Sequence, residues 1–95
     1  MKMETIKAYL NEKNSQLQEL NQKIEQTLNE LNIAEFEEDM YYELMNGRKL
    51  LEEFKKKHDM AENKVKDLEK QKSELEEQRK IITTEIEYIE KHLDS

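Results

Sequence analysis

From Leu51 onward, apolar side chains return at alternating steps of three and four residues. The series runs Leu51, Phe54, His58, Ala61, Val65, Leu68, Lys72, Leu75, Arg79, Ile82, Ile86, Ile89 and Leu93. A mean step of 3.5 residues is the repeat of a helix wound against another helix, so this half predicts about six heptads of coiled coil. One seam row, Phe54 to Ile89 in steps of seven, is apolar throughout. The other is interrupted by His58, Lys72 and Arg79, and long side chains at such positions can lie along a two-helix seam while their charges stay in water.

The first half repeats the alternation through Met3, Ile6, Leu10, Lys13, Leu17, Leu20, Ile24, Thr27 and Leu31. The next strong apolar set is Phe36, Met40 and Leu44, and the step from Leu31 to Phe36 is five residues, which breaks the alternation. Asn32, with Glu35 three places on, has the form of a capping box, and Leu31 with Phe36 has the spacing of a hydrophobic staple. A kink or short break is therefore expected near Asn32.

Asn46-Gly47 holds the only glycine of a chain without proline, and it competes with Asn32 as the place where the chain reverses. Length favours Asn46-Gly47, because it leaves arms of about 2–45 and 48–93. Charge favours it as well. Residues 35–43 hold five acids and no cation, whereas residues 48–57 hold Arg48, Lys49, Lys55, Lys56 and Lys57 against two acids. A turn at 46–47 lays these blocks side by side, and glycine can end a helix by taking a left-handed conformation. Against it, Arg48 and Lys49 sit at the positive end of the second helix. The expected fold is an all-α antiparallel helical hairpin forming one domain over residues 1–95.

Composition narrows the functions open to such a hairpin. Charged residues make up 41% of the 95, hydrophobic ones 35%, and tryptophan is absent. That supplies a helix stripe but not a rounded core. A net charge of −7 disfavours nucleic acid as a partner, since phosphate binding needs a basic surface. No apolar run approaches the ~20 residues of a membrane span, and the opening MKMETIKAYL lacks the apolar stretch of a secretory signal. The expected compartment is the cytoplasm, with export alongside a partner, without a cleaved signal, as the alternative. Glu/Lys pairs four apart, among them Glu62/Lys66 and Glu76/Lys80, read as solvated helix faces.

Chemistry is expected to be absent. There is no cysteine, no glycine-rich phosphate loop and no local Ser/His arrangement. His58 and Glu62 share a helix face, but two ligands fall short of a metal site; His92 is remote in sequence. No cofactor, metal or catalytic residue is expected, and the chain reads as a non-enzyme.

Two helices bury one seam, and the sequence widens the apolar arc beside it in places. Leu50, Met60, Ile81 and Tyr88 flank the second-half seam, and Met40, Tyr41, Tyr42 and Met45 cluster before the turn. These eight residues are the candidate partner-binding set, with closure over the turn as the alternative role of Tyr41, Tyr42 and Met45.

An acidic, cysteine-free helical chain of this length turning at Met45-Asn46-Gly47 resembles the small helical-hairpin proteins of type VII secretion. Their turn carries Trp-x-Gly, so Gly47 matches and Met45 replaces the tryptophan. The stretch LEEQRKIITTEIEYIEKHL also resembles the charged ends of accessory proteins encoded with LXG toxins. The family's export signal, Tyr-x-x-x-Asp/Glu, is not met, because His92 stands four places after Tyr88. The resemblance implies a targeting or chaperone-like accessory that binds the helical N-terminal domain of a secreted toxin, or a second small helical protein carrying the signal. Two alternatives remain: a self-associating coiled coil, homodimeric through a four-helix bundle, and a flagellar-type export chaperone.

Overall fold

The computed structural model of the chain describes residues 2–47 and 51–94. They form two α-helices of 44 residues each, α1 (Met3–Asn46) and α2 (Leu51–Asp94). The fold is an all-α antiparallel helical hairpin whose reversal lies between Asn46 and Leu51. Contacts gather into two compact units, each made from a piece of both helices. The first joins Met1–Glu25 to Ser73–Ser95 and the second is Gln26–Lys72.

In the second unit, Leu31 and Ala34 of α1 pack with Leu68 of α2, and Val65 lies against them. Closer to the turn, the Tyr41 ring stacks on Phe54 with centroids 6.1 Å apart. As residue numbers rise along α1 they fall along α2, which is the antiparallel signature. The first unit repeats it. Lys13 Nζ donates to Glu85 Oε1 at 3.2 Å, and Arg79 Nη1 donates to Asn21 Oδ1 at 3.3 Å.

The α2 seam follows the predicted series from Phe54 to Leu93, every member being buried or half-buried, while Leu51 is exposed. His58, Lys72 and Arg79 are half-buried, as expected for side chains that run along a seam and keep their charge near water.

The expected break near Asn32 does not occur, because α1 runs through it without interruption. Leu31, Ala34, Glu38, Tyr41 and Met45, all buried or half-buried, continue in unbroken steps of three and four, with Glu37 and Met40 half-buried beside them. Ala34 is the most buried of the described residues at 0% exposure, whereas Phe36 is 68% exposed. Leu31 and Phe36 therefore form no staple, since they lie on different sides of the helix. The seam holds its phase with a small residue and an acid where a large apolar residue was sought. Inside a helix, Asn32 is a solvated position and Glu35 closes no capping box.

At the reversal, the Gly47 N–H donates to the Leu44 carbonyl at 3.1 Å, a three-residue closure that tightens the last turn of α1. Gly47 does not take the left-handed conformation expected of it. Its lack of a side chain serves close approach instead: a Cβ there would stand 3.3 Å from the Leu44 carbonyl oxygen. Arg48, Lys49 and Leu50 lie outside the described residues, so the candidate role of Leu50 and the polarity of the α2 start fall there too.

Candidate partner-binding surfaces

A two-helix seam hides little. Eight apolar residues are buried among the described residues, and two of these are alanines. Many large apolar side chains are left facing solvent, and their placement decides which surfaces can bind.

In the first unit, Tyr88 is 73% exposed, Ile81 54% and Tyr9 48%. Tyr9 of α1 lines one shallow groove with Thr84, Glu85, Tyr88 and Ile89 of α2. An adjoining groove is lined by Ile81 with Glu77, Lys80, Thr84 and Glu85. Ile81 and Tyr88 are seven apart on α2 and so project from the same side. The Thr84 hydroxyl donates to the Lys80 carbonyl at 2.9 Å within its own helix, which leaves it satisfied without a partner.

Charge stands at the edge of this patch. Lys13 Nζ lies 5.4 Å from the centre of the Tyr9 ring as well as 3.2 Å from Glu85. The hydrogen bond to Glu85 holds the Lys13 ammonium above its ordinary value of 10.5. Partial burial pulls the other way, and Tyr9 adds to the rise. The pair stands beside the groove that Tyr9 and Glu85 line.

In the second unit, the candidate residues divide. Tyr41 is half-buried in its stack on Phe54, with Lys57 Nζ 5.8 Å from its ring centre. Met40 and Met45 are half-buried as well. Tyr42 is 57% exposed with its ring tilted against His58 at 5.9 Å. Met60, 63% exposed, borders a recess with Glu37, Tyr41, Lys57, Ala61 and Lys64. Glu37 and Lys57 at one recess bring the acidic and basic blocks together in the manner expected of a turn after Met45.

A second exposed stripe went unread in the sequence. Ile33, Phe36 and Leu44 are 60%, 68% and 42% exposed, and with half-buried Met40 they run along the outside of α1. Phe36, Met40 and Leu44 were expected in the seam; the regular phase through Ala34 and Glu38 is the signal that places them outside.

Among potential metal ligands, Glu38, His58 and Glu62 offer ligand atoms that all lie within 4.8 Å of one another, each residue half-buried. The sequence pairs His58 with Glu62; only the fold adds Glu38. Of the helix-face pairs, Glu62 meets Lys66 at 3.5 Å, whereas Glu76 meets Arg79, three places on, at 3.9 Å. Among the described residues, no helix is long and apolar enough to cross a membrane. Comparison with known protein families, with curated proteins and with solved structures finds no match to this chain.

Proposed function

We propose that the chain is a non-catalytic helical binding module, a targeting or chaperone-like adaptor for a helical protein. The observation that carries this reading is the exposed trio Tyr9, Ile81 and Tyr88 in the first unit, beside a seam they do not help to bury. An amphipathic helix laid along that side would cover two tyrosines and an isoleucine while their polar neighbours stay at the rim. Tyrosine suits this role, because it offers a broad apolar ring and a hydroxyl that still finds water or a partner. The occupant we favour is the helical N-terminal domain of an LXG-type toxin, on the strength of the turn and C-terminal resemblance. The adaptor acts in the cytoplasm and leaves the cell, if at all, with that partner.

Co-purification of the full chain with such a domain tests the reading. The double variant Ile81→Glu, Tyr88→Glu is expected to weaken the complex at least about tenfold, and to change the melting of the free hairpin by less than about 0.5 kcal/mol. Failure of the unaltered chain to bind the toxin domain, or an equal loss of binding and of hairpin stability, would sink it.

A second reading, self-association into a four-helix bundle, is favoured by the outer stripe of Ile33, Phe36 and Leu44. Two copies apposed through such stripes would bury what each leaves exposed.

A further inference from the structure

We propose that Glu38, His58 and Glu62 form a binding site for a divalent transition-metal ion of the zinc class, clamping α1 to α2 within the second unit. The proposal is independent of the adaptor reading. Its ground is how three ligands from two helices converge. His58 and Glu62 are four apart on α2 and project from one side, and Glu38 reaches them from a seam position of α1. Their ligand atoms lie within 4.8 Å of one another. An ion centred among three such atoms stands no more than about 2.8 Å from each, and small side-chain rotations close that to the ~2.0–2.2 Å of zinc–nitrogen and zinc–oxygen bonds.

The surroundings favour ligation. The His58 side chain is only 16% exposed, and an Asp59 carboxylate oxygen lies 3.6 Å from its Nδ1. The Tyr42 ring rests against the imidazole at 5.9 Å. The imidazole is thus largely screened from solvent, with a carboxylate and a ring as neighbours. Lys66 is the competitor, 3.5 Å from Glu62, but its own side chain is well exposed, and a pair with one partner in water gives little resistance to a bound ion. Two carboxylates balance a divalent charge. One imidazole tilts the preference from magnesium and calcium, which favour all-oxygen shells, toward zinc, cobalt and nickel. With three protein ligands, a fourth coordination position is left for water.

The test uses the full chain freed of metal with a chelator, near neutral pH. Zinc chloride is expected to bind one ion per chain in calorimetry and to raise the melting temperature followed by circular dichroism. Magnesium chloride at the same concentration should leave it unchanged. Cobalt chloride is expected to give a visible absorption band of low coordination number. Glu38→Gln and Glu62→Gln should each weaken zinc binding at least about tenfold while keeping the helicity of the metal-free chain, and His92→Gln should bind as before. A melt unmoved by zinc would overturn the proposal, as would a magnesium shift of equal size. So would zinc binding that survives Glu38→Gln, since His58 and Glu62 alone would then account for it.

Discussion

Lys13 occupies a seam position that the heptad pattern would give to a leucine. It is tolerated because its ammonium reaches Glu85 at 3.2 Å while its stem stays in the groove. The consequence is a pH signature with a definite sign. The folded chain holds the Lys13 proton more tightly than the unfolded chain does, so the pair's stabilisation is complete below the ordinary value of 10.5 and is lost as pH rises through the raised folded value. Melting temperatures measured across the alkaline range should fall with pH, and Lys13→Met should make that fall shallower. Identical alkaline slopes in the two proteins would show that the contact contributes nothing. The same residue shows what was legible beforehand. Its seam position could be read from spacing alone, but its partner, 72 residues away, could not, because spacing on one helix says nothing of what faces it.

At the scale of the helix, the α2 seam from Phe54 to Leu93 was legible because large apolar residues mark nearly every turn. In α1 the same repeat was disguised between Leu31 and Tyr41. There the seam uses Ala34 and Glu38, while the conspicuous Phe36 points outward. Size misled where phase would not have. Asn32 supplies the check. An exposed Asn inside an unbroken helix costs a few tenths of a kcal/mol relative to Ala, whereas an Asn that caps a helix stabilises it by about 1 kcal/mol. Asn32→Ala is therefore expected to raise stability to denaturant by roughly 0.5 kcal/mol. A loss near 1 kcal/mol would restore the helix start that the local motif suggested. Gly47 is the converse case: its place at the end of α1 was legible, but the left-handed backbone expected there is not taken, and a Cβ would instead meet the Leu44 carbonyl at 3.3 Å.

For the molecule as a whole, the reversal after Met45 was readable from arm length and charge blocks, and it places both helices. The surfaces were read less completely. Met60, Ile81 and Tyr88 are exposed, and so are Phe36 and Leu44, which had been assigned to the seam, along with Ile33, which had been given no place. If that stripe mediates pairing of two copies, Ile33→Glu with Phe36→Glu should convert a dimer to a monomer in light scattering without loss of helicity. If the unaltered chain is already monomeric at high concentration, the four-helix bundle is ruled out and the adaptor reading stands alone among the two.

Within the first unit, the cross-helix pairing of Lys13 with Glu85 and of Asn21 with Arg79 also favours one lengthwise alignment of the two helices. Where the first unit's seam is built of leucine and isoleucine alone, a slide of seven residues would meet little resistance from the apolar contacts. Such a slide would set Gln78 or His92 opposite Lys13, and Lys72 or Ile86 opposite Asn21. Neither shift recreates the lost carboxylate or guanidinium. Two polar couples thus act as a vernier on the coarser apolar scale, and they would do so whether the second helix came from the same molecule or from a neighbour.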